Sequence, residues 1–250
     1  MTLSTDQMSD VVPATHSQDI DERYRLLRVT RPELFANPEG GIVILDEDRE
    51  PDSVAQASVR GGTPEVAARS GGVVYADQYL SVLRDPVRFP DDRLGMYLRV
   101  VHAGPAGAAV LPLTSDGEVV LVEHFRHSTR RWHWEIPRGF GEYDRADGAL
   151  DAATATINTA LREVGEELGV QARELLPLGV LHPDTGILAG PVHLFAAVID
   201  RVGVLETAEG IRRAAVLPFA QAEDRVRNQE ITDAFTISAL YRARLRGLAG

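Results

Sequence analysis

Arg162-Glu163-Val164-Gly165-Glu166-Glu167-Leu168-Gly169-Val170 is the chemically densest segment of this 250-residue chain. On a helix its three carboxylates, Glu163, Glu166 and Glu167, share one face within about 100° of arc. Like charges at that spacing repel and weaken a helix unless something neutralises them. They also lie near the helix C-terminus, where the macrodipole opposes negative charge. Clustered hard oxygen donors suit Mg2+ or Mn2+, which prefer octahedral oxygen coordination and bridge to substrate phosphates. A solvated acidic helix face is the alternative, but the locally unfavourable placement fits a functional cause better.

Composition narrows the remaining chemistry. Cysteine and lysine are both absent, and all 26 basic residues are Arg. Disulfides, thiolate nucleophiles, Cys-ligated zinc, Schiff-base lysines and a P-loop lysine are therefore excluded. Phosphate recognition must come from Arg, backbone amides or a metal ion. The net charge of -11 argues against a nucleic-acid or anionic-membrane partner. Bound divalent cations can still invert the local field for a polyanionic substrate. No apolar run has membrane-spanning length, and Met1–Glu22 lacks the charge and apolar core of a signal peptide. A cytoplasmic location is expected.

The elements that position the glutamates follow from periodicity. Residues 1–20 are polar and acidic, which predicts a mobile tail. Short runs at Gly41–Leu45, Val73–Tyr75, Tyr79–Leu83 and Met96–His102 predict a small β-rich N-terminal domain over 21–105. Leu26, Leu27, Pro32 and Leu34 suit a short helix leading into it. Residues 48–71 read as loop with at most one short helix, Pro64–Ala68. A second domain, 106–250, begins with Ala108–Leu113 and Glu118–Glu123 joined by an Asp116-Gly117 hairpin turn. Trp132–Ile136, Leu176–Leu181, Val192–Ile199 and Arg213–Leu217 are further strands. Between them a helix from about Ala149 to Leu168 keeps Leu150, Ala153, Ile157, Ala160, Leu161, Val164 and Leu168 at helical spacing, with Gly169 as its stop. A last helix, Thr232 to Leu245, presents Phe235, Ile237, Leu240, Tyr241 and Leu245. Strands mixed with two long helices imply an α/β layered domain with a mixed sheet.

On these residues the chain resembles the Nudix hydrolases, whose box reads G-x5-E-x7-R-E-U-x-E-E-x-G-U, with U a bulky aliphatic. Arg162 to Val170 meets every fixed position of the second half. Flanking segments resemble the ADP-ribose and nucleotide-sugar pyrophosphatase branch: Val82–Pro90, Val119–His127, Glu135-Ile136-Pro137-Arg138-Gly139, and Glu230-Ile231-Thr232-Asp233-Ala234-Phe235-Thr236. The resemblance covers about 73 to 245 and implies a Nudix-type α/β/α sandwich after the β-rich domain. Two departures stand out. Arg162 follows Gly139 by 23 positions instead of the box's 14, which implies a nine-residue insertion around Tyr143–Leu150. Counting back from Arg162 puts Gly148 at the box glycine, but Gly139 follows the strand and proline and is preferred. Either way Thr154 replaces the box's first glutamate. Asp184-Thr185-Gly186 followed by Gly190 also lacks a carboxylate that the branch often carries.

The resemblance implies a hydrolase that sends water against a diphosphate phosphorus, releasing a nucleoside monophosphate and a sugar phosphate. Glu163, Glu166 and Glu167, with the Arg138 carbonyl, become the expected ligands of Mg2+ or Mn2+. Arg162 is expected to orient the glutamates, the alternative being a simple surface ion pair. Glu209-Gly210-Ile211-Arg212 matches a pattern that makes Glu209 the general base or an extra metal ligand, with Glu206 nearby; an exposed loop glutamate is the alternative. Arg126 and Arg138 are the expected diphosphate contacts. Trp132 and Trp134 could stack on a base, or serve the core or a dimer interface. Tyr143, Asp144 and Asp147 could cover the site or hang in solvent. A catalytically weak or inactive nucleotide-binding or regulatory module is the competing function, supported by Gly190 and the distorted first half of the box. Triphosphate or RNA-cap hydrolysis is a third. The branch further implies a homodimer.

Overall fold

The computed structural model describes residues 17–60, 71–141 and 152–248. Pro64–Ala68, the insertion with Tyr143, Asp144, Asp147 and Gly148, and residues 1–16 of the expected tail lie outside them. Contacts group the chain into two units, one through Ala103 together with Gly186–Ala189, the other made of Gly104–Thr185 and Gly190 onward.

The first unit begins with helix α1, Ser17–Thr30, and a 3-10 turn, Pro32–Phe35. The helix starts inside the stretch expected to be tail, and its Tyr24 joins Val73, Leu83 and Val101 in a small core with Leu27, Leu34 and Phe35 against it. Strands β1 (Val43–Ile44), β2 (Gly72–Ala76), β3 (Leu80–Arg88) and β4 (Leu94–His102) form one antiparallel sheet in which β3 pairs all the others. Buried Asp85 anchors it, accepting from the Tyr24 hydroxyl and from Arg99 Nε at 2.5 Å. Residues 51–60, expected as loop, are helix α2, Pro51–Arg60. Pro51 opens it where a missing N–H costs nothing. Val54, Ala57 and Ser58 supply a buried stripe too small to register as an apolar pattern.

The second unit is a seven-stranded mixed sheet between two helical layers. Its strands are β5 (Gly107–Thr114), β6 (Val119–Arg126), β7 (Arg131–Glu135), β8 (Arg138–Gly139), β9 (Glu174–Leu181), β10 (Val192–Ile199) and β11 (Ile211–Leu217). Order runs β11-β6-β5-β10-β9, with β7 added to β6 and β8 to β5; only β5 and β10 are parallel. Period-two alternation builds both cores. Ala108, Val110, Val120, Val122, Phe195 and Ala197 meet Ala160, Val164 and Leu168 of α3 (Ala152–Leu168) on one face. Ala109, Leu111, Leu121, Leu194 and Ala196 meet α4 (Phe219–Arg227) and α5 (Ala234–Leu245) on the other.

Three details differ from the periodicity. Helix α4 is additional; it buries only Phe219 and Ala222 and is otherwise polar. Ile157 and Leu161 of α3 stay exposed. In α5 the buried stripe is Thr236, Ala239, Leu240 and Ala243, while Tyr241 and Leu245 face outward. Small side chains let that helix sit close to the sheet, so burial follows the i, i+3, i+4, i+7 geometry and not residue size. Gly169 ends α3 at φ +64, the left-handed stop expected of it. No helix among the described residues is long and apolar enough to cross a membrane.

Candidate active site

Helix α3 projects its glutamates in an order set by their angle from the core. Val164 and Leu168 point inward, Glu167 and then Glu163 lie to one side of that direction, and Glu166 lies farthest round the helix. Glu167 is 2% and Glu163 5% exposed, whereas the Glu166 side chain is 49% exposed. Burial pushes the Glu167 carboxyl up to about 8, and the nearby Glu163 charge adds to the rise. Glu163 is also raised, first by burial and then by the charges of Glu166 and Glu209. Arg162 spans the helix surface, with Nη2 2.7 Å from Glu163 Oε1 and Nη1 2.5 Å from Glu166 Oε2. Two of the three glutamates are thus brought together inside, and the third is held outside by Arg162. Among the described residues no three acidic or histidine side chains converge into a ready metal cage.

Strand β8 packs against this face. It pairs with β5 through Ala108↔Gly139 and Ala109↔Arg138. The Arg138 amide donates to Glu167 Oε1 at 3.3 Å. A methyl group on Gly139 would overlap the Glu163 carboxylate, so glycine is what admits that side chain. Thr154 lies half-buried in the first turn of α3.

A second cluster centres on Glu135, 1% exposed at the end of β7. Arg126 pairs with its Oε1, Arg138 Nη2 lies 3.3 Å from its Oε2, and His124 Nδ1 lies 3.4 Å from Oε1. Arg138 is also 3.5 Å from Asp233 Oδ1 and stacks 4.5 Å from the Phe235 ring centroid. Both arginines expected at the diphosphate are therefore oriented by one buried carboxylate, and about a quarter of each side chain stays exposed. Burial raises the Glu135 carboxyl. Burial, reinforced by Arg126, lowers His124 to about 4, so its ring is neutral near pH 7.

Among the described residues, every buried side-chain polar atom without a hydrogen-bond partner belongs to these two clusters: His124 Nδ1, Arg126 Nε and Nη2, Glu135 Oε1, Arg138 Nε and Glu167 Oε2. Some face one another as ion pairs without hydrogen-bond geometry. Unsatisfied buried groups are rare in proteins and each asks for an explanation. Here guanidinium donors and two carboxylate oxygens lie in one region, a pattern suited to an anion and a cation bound together.

Glu209 lies exposed on the turn before β11, and its backbone carbonyl accepts from His124 Nε2 at 3.0 Å. Glu206 instead caps that turn, accepting from the Ala208 amide at 2.7 Å. Trp132 is 41% exposed, and Trp134 packs against the sheet core. Gly190 precedes β10 without a side chain. Sequence reasoning missed the roles of Glu135 and Asp233 and the contact of Glu123 with Arg212 and Arg213. Glu135 stands three residues before Arg138, but strand periodicity alone gives no reason to expect i, i+3 pairing across a bend.

The sequence pattern of the NUDIX domain family matches residues 104–235. The ADP-ribose pyrophosphatase of Bacillus subtilis (strain 168) is 26% identical over 178 residues, covering 69% of this chain and 89% of that protein. The ADP-ribose pyrophosphatase of Mycobacterium tuberculosis (strain ATCC 25618 / H37Rv) is 27% identical over 175 residues, with coverage of 68% and 79%. The GDP-mannose pyrophosphatase of Cronobacter sakazakii (strain ATCC BAA-894) is 28% identical over 163 residues, with coverage of 63% and 83%. A solved ADP compounds hydrolase shares the fold at a TM-score of 0.55 and 18% identity, over 71% of this chain and 92% of its own. With the box residues on α3 and the family pattern spanning more than half its length, the chain belongs to the Nudix family.

Proposed function

We propose that this Nudix pyrophosphatase cleaves the diphosphate linkage of ADP-ribose or a related nucleoside diphosphate sugar, releasing a nucleoside monophosphate and a sugar phosphate. One observation carries the reading: Glu167 is buried beside Glu163 with Oε2 unpartnered and its carboxyl pushed up to about 8. A carboxylate so placed either keeps a proton or meets a cation.

Nudix hydrolases generally use divalent metals, and this donor set fits one. Glu163 and Glu167 offer hard oxygens, the Arg138 carbonyl is the proposed third donor, and Glu166 stands at the rim. Mg2+ or Mn2+ suits such ligands. When bound, the ion supplies charge stabilisation at the phosphoryl oxygens and a more acidic water. Arg162 keeps Glu163 and Glu166 in place. The buried, unpartnered Nε atoms of Arg126 and Arg138 are suited to diphosphate oxygens. Glu209 is assigned as general base or additional ligand, and its electrostatic reach to Glu163 supports that. The family resemblance extends the proposal to a cytoplasmic homodimer, and the charge of -11 favours small nucleotides over nucleic acid or membrane.

A second reading, a nucleotide-binding or regulatory module with little turnover, is favoured by the lack, among the described residues, of a ready three-carboxylate cage and by Gly190. Incubation with ADP-ribose, GDP-mannose, dinucleotides and triphosphates, each with Mg2+ or Mn2+ and read by product chromatography, separates the two. Monophosphate release from a nucleotide sugar is expected. Binding without product from any compound supports the regulatory module and contradicts the hydrolase.

A further inference from the structure

We propose that Arg212, clamped by Glu123 at a β-bulge, is the positioning residue for Glu209; the assignment rests on the role given to Glu209 above. In an unbroken strand, consecutive side chains point to opposite faces. Strand β11 departs from this: Ile211 lies opposite His124 and Arg213 opposite Glu123, so Arg212 is the extra residue in the ladder. The bulge brings two successive guanidinium groups to one carboxylate. Arg212 Nε and Nη2 donate to Glu123 Oε2 and Oε1, each at 2.6 Å, and Arg213 Nε donates to Oε2 at 2.6 Å. The Glu123 side chain is 8% exposed, and Arg212 first among its partners holds it down to about 2, so it stays ionised. The flat face of Arg212 lies 4.2 Å from the Trp132 ring centroid. A bidentate fork stacked on an aromatic ring leaves the guanidinium little freedom.

Three residues upstream, the same backbone carries Glu209. The Gly210 carbonyl accepts from the Phe125 amide at 2.9 Å, and the Glu209 carbonyl accepts from His124 Nε2 at 3.0 Å. All these anchors rise from consecutive residues of β6: Glu123, His124 and Phe125. Of Glu209, Gly210 and Arg212, which these three hold, Arg212 is the one held by an ion pair, and it fixes where the turn leaves the sheet. The Glu209 charge is felt at Glu163, so a shift of this turn moves Glu209 relative to the buried carboxylates.

Kinetics with ADP-ribose and Mg2+ should compare the wild type, Arg212→Ala, Glu209→Gln and the double variant, with backbone hydrogen exchange followed at Phe125 and Gly210. Arg212→Ala is expected to lower kcat about 10- to 100-fold, the scale of a misplaced reacting group, while KM stays within about threefold. That loss should vanish in the Glu209→Gln background. Arg212→Lys should restore only part of it, because an ammonium cannot form the fork. An equal loss in both backgrounds, or an unchanged kcat in Arg212→Ala, overturns the proposal. Exchange at Phe125 and Gly210 should quicken in Arg212→Ala whether or not the wild type turns over, and unchanged exchange overturns the anchoring. Faster exchange with no wild-type turnover of any nucleotide sugar would refute the hydrolase reading and leave the anchor standing.

Discussion

The Ile136 amide donates to the Thr236 hydroxyl at 3.0 Å, joining the strand that leads into the Nudix box to the first turn of α5. The same hydroxyl donates to Asp233 Oδ2 at 2.8 Å, and the Thr236 amide donates to that oxygen at 2.9 Å. Asp233 thus caps the helix while Thr236 relays it to the bend carrying Arg138 and Gly139. Thr236 is fully buried. Thr236→Val keeps the shape but strands a buried amide, and is expected to cost about 1–3 kcal/mol in urea denaturation. An unchanged midpoint would show that the relay contributes nothing.

Metal-free stability should fall as pH rises. The Glu167 carboxyl is raised from 4.5 to about 8 in the folded chain, so the native state prefers the protonated form. Below 4.5 both states are protonated and nothing is lost; between 4.5 and about 8 only the unfolded state ionises, and stability declines. Melting curves in EDTA should show a steeper decline in the wild type than in Glu167→Gln, where the raised carboxyls of Glu163 and Glu135 remain. Parallel pH profiles for the two proteins would count against the assignment.

Glu123 should behave in the opposite sense. Its carboxyl is held near 2 by Arg212 and Arg213 against an ordinary 4.5. Its contribution is therefore complete above 4.5 and disappears as pH falls toward 2. The stability difference between the wild type and Glu123→Gln, measured by denaturant titration at several pH values, should narrow through that window. A gap that does not change with pH would contradict it.

Gly139→Ala places a methyl group on the Glu163 carboxylate. Bending that side chain away should weaken Mn2+ binding by calorimetry about 10- to 100-fold, the scale of a disturbed ligand support, and lower turnover in parallel. Wild-type Mn2+ affinity in this variant would mean that Glu163 is no ligand.

Much of the second unit was legible because its strands alternate cleanly: β10 occupies the expected Val192–Ile199, and the helix bearing the box ends where Gly169 stops it. That the three glutamates share a face of α3 was legible; that Glu163 and Glu167 are buried while Glu166 stays exposed depends on how strand β8 packs against the helix. Helices α2 and α4 were illegible because Ala57, Ser58 and Ala222 carry burial that hydrophobic patterns discount. Tyr241 and Leu245 misled for the converse reason, being large, apolar and exposed. Arg126 and Arg138 were expected from the sequence as diphosphate contacts, without the carboxylate that orients them. Their shared hold on Glu135 depends on a bend and a hairpin, and the Arg212–Glu123 clamp depends on a bulge. Such register features have no local signature.

The central claim is metal-dependent hydrolysis built on Glu163 and Glu167, and one measurement tests it most directly. Initial rates of AMP release from ADP-ribose should be compared with and without Mg2+ for the wild type and for Glu167→Gln, each verified as folded by circular dichroism. Release only with Mg2+ is predicted, falling about 10²- to 10³-fold in Glu167→Gln as electrostatic stabilisation of the transition state is lost. Equal release in EDTA, or an undiminished rate in Glu167→Gln, would contradict it.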